Sequence, residues 1–380
     1  MTKASRAGAT RLRRDLPEEI AIWEILVRLP PKSLLRCRAV CRAWRRATST
    51  RAFLQAHHHR QPCLPIVCGS ENGAAGYENF LALDHRAACA RLQPVVRLER
   101  SFYPEASCDG LLLLSTDGMT GAHFTICNPA TRQHAPLPQL SGFSVFGMYS
   151  HRPSGEYRLL LHQTLADQIC CYVFVLGSDQ PPRYIGVLEV AASAYLHKAA
   201  LVRDNLHLYP VHYGGDPQQY QTGSEVIIVF DTTSESFRQM RAPVVPVKSY
   251  IFEMDDTLGI YSYNATTQIV DIWMLQNYES EVWRYKCSVK LPVVQIKGRF
   301  GGWLNDDWYV CIHSVHGDIL LLVNHGGWMF HVDADGKLVD DFHCDGQHVY
   351  ACKLRLKQTL VPHTFFAALE GYDVNTSPFV

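Results

Sequence analysis

From about residue 77 onward no stretch of the chain keeps a helical period. Apolar runs of strand length recur instead, each closed by turn residues. Such runs are Leu111–Ser115, Phe124–Cys127, Arg158–His162, Cys170–Leu176, Ala200–Val202, Val226–Phe230, Val270–Leu275, Tyr309–His313, Ile319–Val323 and Met329–Val332. Between them fall Asp-Gly at 109–110, 117–118 and 335–336, Asn-Pro at 128–129, and Gly-Gly at 214–215, 301–302 and 326–327. These residues tolerate the backbone angles that reverse a chain. A degenerate element, an apolar strand, a polar turn and a hydrophobic re-entry, repeats in ICNPATRQHAPLP (126–138), YVFVLGSDQPPRYIG (172–186), IVFDTTSESFRQM (228–240), IWMLQNYESEVWRY (272–285) and MFHVDADGKLVDDF (329–342). The starts lie 46, 56, 44 and 57 residues apart. A period of ~40–50 residues is that of four-stranded propeller blades, of which 77–370 would hold about six. A pair of β-sandwiches would share the same texture.

The first sixty residues differ. Asp15 or Leu16 opens a helix, with Pro17 in its first turn. Ile22, Ile25, Leu26 and Leu29 line one face, and Pro30-Pro31 ends it. A second short helix is expected over 33–39 and a third over 40–47, where Val40, Trp44 and Ala47 share a face; Phe53 and Leu54 close the unit. The formal net charge of the chain is zero, but residues 1–60 hold fourteen Lys/Arg against four Asp/Glu, a balance of +10, which leaves −10 for the rest. Two parts with different partners are implied. The expected division is a disordered basic tail at 1–14, a helical unit at 15–55, a linker at 56–76, a β-domain at 77–370 and a C-terminal tail at 371–380. Roughly forty residues bury little surface, so some apolar side chains of the helical unit should remain exposed for a partner.

The segment LPEEIAIWEILVRLPPKSLLRCRAVCRAWRRATSTRAF (16–53) resembles an F-box. The pattern is carried by Leu16-Pro17, Ile25-Leu26, Arg28-Leu29-Pro30, Lys32-Ser33-Leu34-Leu35-Arg36, Arg38, Val40-Cys41, Trp44 and Phe53. Pro31 departs from it, as does the IAIW opening at 20–23. The remainder more loosely resembles the kelch-like F-box-associated β-domain of plant proteins, through Asp109-Gly110-Leu111-Leu112, Asn128-Pro129-Ala130-Thr131-Arg132, Phe230-Asp231 with Phe237, and Ile272-Trp273. The resemblance implies a fold of a small three-helix F-box followed by an all-β, propeller-like domain of about six blades. It implies the substrate-recognition subunit of an SCF-type ubiquitin ligase. The F-box would bind a Skp-type adaptor and through it a cullin–RING ligase, and the β-domain would hold a target protein. By carry-over, Leu16, Pro17, Ile20, Pro30, Leu34 and Leu35 would contact the adaptor, while Ile25, Leu26, Val40 and Trp44 would fill the F-box core. No catalytic residue, cofactor or metal is expected. The alternatives are a non-catalytic F-box scaffold acting outside ubiquitination and, remotely, a kelch-like metallo-oxidase.

The sequence contains no HExxH, G-x-S-x-G, P-loop or G-x-G-x-x-G motif. Arg11 to Arg14 reads as a solvated tail rather than a nucleic-acid site, and a −10 domain would repel phosphates. His57-His58-His59 reads as a surface loop. His343, Cys344, His348 and Cys352 have the ligand types of a zinc site, but a turn-and-strand context faces alternate residues apart, which favours buried thiols and a polar turn. Among the seven tryptophans, Trp303 and Trp308 flank a turn-like segment and are the candidate target-binding residues; Trp273 and Trp283 are assigned to packing. No run approaches the ~18–20 apolar residues of a membrane helix. The thirteen cysteines show no framework spacing and no secretory leader is read, so a reducing compartment, cytoplasm or nucleus, is expected.

Overall fold

The computed structural model describes residues 16–71, 78–84, 91–98, 102–116, 123–190, 194–212, 225–243, 249–300, 308–315, 317–343 and 347–374. The chain divides into two compact units, one built from the N-terminus to Pro62 with 358–361, the other from the rest.

The first unit is helical. Helix α1 starts at Glu18–Ile20, widens into a π turn over Ala21–Ile25 and tightens to a 3-10 turn over Leu26–Arg28. Pro30 then extends the chain and Pro31 occupies the first turn of α2 (Pro31–Val40), where a missing N–H costs nothing. Cys41 turns the chain into α3 (Arg42–Thr48), its Sγ accepting from Trp44 N at 3.3 Å. A fourth helix, α4 (Arg51–Arg60), lies beyond the expected three; Thr50 caps it by accepting from Phe53 N at 3.3 Å. The core is Ile22, Leu26, Val27, Leu34, Phe53 and Leu54. The three histidines sit on α4 and not in a surface loop: His57 is buried, and its Nε2 donates to Leu29 O at 2.8 Å. Of the stretch 56–76, residues 56–60 end α4, where Phe53, Leu54 and His57 give the helix a face to bury, and Cys63–Glu71 form a strand; 72–76 lie outside the described residues.

The second unit is a six-bladed β-propeller. Blade 1 comprises β1 (Cys63–Glu71), β2 (Glu78–Asp84) and β3 (Arg91–Leu98). Blade 2 runs β4 (Tyr103–Cys108), β5 (Leu111–Thr116), β6 (His123–Asn128), β7 (Gln133–Pro136). Blade 3 runs β8 (Ser144–His151), β9 (Glu156–Leu165), β10 (Gln168–Val175), β11 (Arg183–Leu188). Blade 4 is interrupted by a ribbon of β12 (Ala194–Leu196) and β15 (Pro210–His212), and is built from β13 (Ala200–Val202), β14 (Asn205–Leu208), β16 (Val226–Asp231) and β17 (Ser236–Arg241). Blade 5 runs β18 (Ser249–Met254), β19 (Thr257–Asn264), β20 (Ile269–Asn277), β21 (Val282–Lys290), followed by helix α5 (Val293–Phe300). Blade 6 runs β22 (Tyr309–Val315), β23 (Asp318–His325), β24 (Trp328–Val332), β25 (Leu338–Phe342). Strand β26 (Gln347–Lys357) returns to pair with β1 and supplies the missing inner strand of blade 1; β27 (Asp373–Val374), in the expected tail, adds to β7.

This pairing closes the ring. Six apolar clusters fill the spaces between successive blades, and one of them joins blade 6 to blade 1 through Leu320, Leu322, Val67 and Ala351. Middle strands lie between two such spaces, so both faces are apolar. Leu111 and Leu113 enter the cluster toward blade 3, whereas Leu112 and Leu114 enter the one toward blade 1. The third-to-fourth-strand hairpins of blades 2, 4, 5 and 6 share a second device. Asn128, Asp231, Asn277 and Asp333 each accept two backbone N–H groups of the following turn through Oδ1, at 2.8–3.4 Å. A short acceptor side chain thus sets the turn. No described helix is long and apolar enough to cross a membrane.

Candidate functional site

Each unit presents one candidate surface. On the helical unit, Leu16, Pro17, Ile20, Pro30 and Leu35 are exposed, Leu16 by 52%. Leu34 is not a free contact: it is fully buried. Successive residues on a helix point about 100° apart, so with Leu34 turned inward Leu35 must turn outward. Two expected core residues are corrected in the opposite sense. Ile25 is exposed, because the π turn inserts an extra residue per turn and carries it off the face shared by Ile22 and Leu26. Val40, the last residue of α2 before the extended Cys41, is 72% exposed. Leu26 is buried and Trp44 half-buried. Trp23 joins the exposed set, although its ring also meets Phe53 at 5.6 Å. Six large apolar side chains (Leu16, Ile20, Trp23, Ile25, Leu35 and Val40) therefore meet solvent on a unit of this size. Arg36, Arg42, Arg45 and Arg46 are exposed beside them. Arg38 is held inward, Nε donating to Thr48 Oγ1 at 3.1 Å and Nη2 to Thr48 O at 2.5 Å.

The propeller carries its candidate site along the axis, where β4, β8, β13, β18, β22 and β26 stand side by side. Two cavities meet there, of about 930 and about 460 Å³, sharing Glu105, Lys198, Lys353 and Leu354. The larger is walled by aromatic rings, among them Tyr103, Phe143, Tyr250, Tyr309 and Tyr350. The smaller is charged, with Asp109, Glu253, Asp255, Arg355 and Lys357. At the waist Lys198 pairs with Glu105, whose other oxygen accepts from Ser115 Oγ at 2.5 Å. The Lys353 ammonium lies 3.8 Å from the centroid of the Tyr250 ring, and His197 packs on the same tyrosine at 4.7 Å. Burial, with the Lys353 charge behind it, draws the His197 pKa down to about 3, so this imidazole is neutral. Arg355 is tied to Glu253 at 2.6 Å and to Cys63 O at 3.0 Å.

Of the two tryptophans expected to meet a target, Trp308 does not line this site. Trp303 lies outside the described residues. Trp308 stacks on His325 at 4.1 Å and packs into the cluster between blades 5 and 6. Trp273 and Trp283 pack between blades 4 and 5, Trp283 Nε1 donating to Arg241 O at 2.9 Å. His343 stacks on Trp328 at 4.0 Å; Cys344 and the side chain of His348 lie outside the described residues. The channel residues went unmarked in the sequence, although KLRLK (353–357) carries a signal: alternation places Arg355 and Lys357 on one face of β26, and Lys353, in the bulge before Arg355, lines the same channel.

Comparison with known proteins agrees with both units. Residues 14–60 match the F-box-like family and residues 88–316 the F-box associated beta propeller domain. F-box protein At5g49610 of Arabidopsis thaliana is 23% identical over 316 residues, covering 73% of this chain and 80% of its own. F-box protein At3g07870 of the same plant is 32% identical over 159 residues, 38% of this chain and 37% of its own. F-box protein At5g18160, also from Arabidopsis thaliana, is 22% identical over 304 residues, 75% and 73% of the two chains. The chain belongs to the plant-type F-box proteins that carry a C-terminal F-box-associated β-propeller.

Proposed function

We propose that this chain is the substrate-recognition subunit of an SCF-type ubiquitin ligase. The helical unit docks on a Skp-type adaptor and through it on a cullin–RING ligase, and the propeller holds the target protein. The chain performs no transfer chemistry of its own. The observation that carries the reading is the exposure of Leu16, Ile20, Trp23, Ile25, Leu35 and Val40 on a small helical unit with the F-box pattern. Apolar surface of that density is stabilised when a partner covers it. The exposed arginines speed encounter with an acidic partner more than they add affinity. The eleven described cysteines are free thiols, which supports a reducing compartment, cytoplasm or nucleus.

The test is co-purification of the full chain with a Skp-type adaptor. Wild type is expected to form a stoichiometric complex. Leu16→Asp with Leu35→Asp is expected to lose it while the urea transition of the helical unit stays within ~1 kcal/mol, since both side chains already meet water. Failure of wild type to bind, or full binding by the double variant, would overturn the assignment. Binding with no ubiquitinated partner accumulating under proteasome inhibition would point to a scaffold.

A further inference from the structure

The larger channel cavity contains a cation, Lys353, that no described carboxylate pairs. Lys353 forms no ion pair with any described residue, and its ammonium faces the ring of Tyr250 at 3.8 Å. Its neighbours are already matched: Lys198 by Glu105, Arg355 by Glu253. Burial draws the Lys353 pKa down to about 8, the mark of an ammonium that has lost water and gained no carboxylate. An aromatic face returns only about 2 kcal/mol to such a charge.

The surroundings fix the rest of the ligand. Tyr103 and Tyr309 are exposed, whereas Phe143, Tyr250 and Tyr350 are partly covered. The cavity therefore grades from an aromatic mouth to an ammonium that no described carboxylate pairs. Its volume of about 930 Å³ falls within the range, about 300–1,000 Å³, of sites for small organic ligands. One unpaired ammonium suits a monoanion; a phosphate dianion calls for more donors. We infer that this cavity binds a carboxylate carried on an aromatic body, the carboxylate at Lys353 and the body among Tyr103, Phe143 and Tyr309. The same chemistry is offered by a free aromatic acid and by the C-terminal phenylalanine of a target chain. The inference rests on the propeller being the recognition module. It does not depend on the adaptor: a failed adaptor co-purification removes the ligase reading and leaves the binding result standing.

Isothermal titration of the full chain at pH 7 tests it. One pair of probes is 3-phenylpropionate and its primary amide. The other is acetyl-Ala-Ala-Ala-Phe with a free or an amidated C-terminus. A charge-assisted hydrogen bond makes the acid at least about tenfold tighter than the amide in one pair or both. Response of the first pair alone identifies a free acid, and of the second alone a chain terminus. Lys353→Met is expected to erase the preference, and Lys357→Met, in the smaller cavity, to keep it. Lys353→Gln serves the same purpose where the methionine variant does not fold. Equal binding of acid and amide in both pairs, no binding of any probe at millimolar concentration, or an acid preference that survives at Lys353→Met and Lys353→Gln would overturn the inference.

Discussion

The propeller should lose stability in mild acid, and His207 and His313 contribute to the loss alongside His162 and His197, whose pKa values burial also lowers. His207 on β14 is fully buried. Its Nδ1–H donates to Ala200 O at 3.3 Å, which leaves Nε2 to accept from the Tyr278 hydroxyl at 2.8 Å. The Tyr278 ring lies under the guanidinium groups of Arg203 and Arg238, at 5.2 and 5.3 Å. A protonated His207 would lose the tyrosine as donor and add a charge beside two cations. Burial first, then Arg238, holds its pKa down to about 4. His313 on β22 donates from Nε2 to Cys352 O at 2.9 Å, and burial, then Arg355, holds it to about 3. Between the folded values and the unfolded value of about 6.5, the folded state binds fewer protons than the unfolded chain. Stability is therefore whole above pH 6.5 and falls as pH drops through that window. At pH 5 each group removes about 2 kcal/mol, at ~1.4 kcal/mol per pH unit, and the pair about 4 kcal/mol. That is a large share of a typical ~5–15 kcal/mol. The assay is the urea midpoint of the propeller transition, followed by tryptophan fluorescence from pH 7.5 to 4.5. His207→Gln keeps a donor and an acceptor but does not titrate. It should fall by about 2 kcal/mol less than wild type between pH 7 and pH 5. Equal slopes for the two proteins would refute the reasoning, whatever the variant costs at neutral pH.

Three further outcomes follow from contacts within one unit. Glu235, on the β16–β17 turn, accepts from Tyr149 Oη at 2.7 Å and Arg158 Nη1 at 2.6 Å and also pairs with Arg183, tying blade 4 to blade 3. Glu235→Ala should cost about 2–3 kcal/mol in urea midpoint, less than a wholly buried pair because Glu156 still holds Arg158, whereas Arg152→Ala at the exposed pair with Asp204 should cost under ~1 kcal/mol. Gly336→Ala, at φ +80° with its Cβ 2.5 Å from Lys290 O, should be more destabilising by at least ~1 kcal/mol than Gly155→Ala, which has the same sign of φ but open space, as thermal melts of the two variants would show. Phe53→Ala should remove about 3–5 kcal/mol from the helical unit and abolish adaptor capture while the propeller's urea transition stays in place.

The strand-and-turn element visible in the sequence is physically one object, the hairpin from third to fourth strand, and its five copies belong to blades 2 to 6. It was legible because two local demands coincide there: a strand largely buried on both faces and, in blades 2, 4, 5 and 6, an Asn or Asp that caps its own turn. Blade 1 left no contiguous trace, since its inner strand arrives from 347–357 and its register is fixed only by pairing with β1. In the helical unit the spacing of Ile22, Ile25 and Leu26 suited a straight helix. The π turn that expels Ile25 has no signature in that spacing. The choice of Leu34 or Leu35 as the inward residue was equally open, because both suit either side and the phase of the helix decides.

Strand β26 shows why closure and recognition need not compete for the same residues. Its backbone holds β1, and Ala351 and Leu356 pack against neighbouring blades, so ring closure depends on main-chain hydrogen bonds and on side chains buried away from the axis. Lys353, Arg355 and Lys357 line the channel. Arg355 and Lys357 stand in the ladder opposite Pro65 and Cys63, where a backbone but no particular side chain is required, and Lys353 stands in the bulge between Arg355 and Ala351. A strand built this way can exchange the groups it shows a ligand without changing how the propeller shuts. That division explains how the most charged stretch of the channel wall can sit on the strand that completes the ring: the ladder keeps blade 1 intact while Lys353 is left to be satisfied from outside.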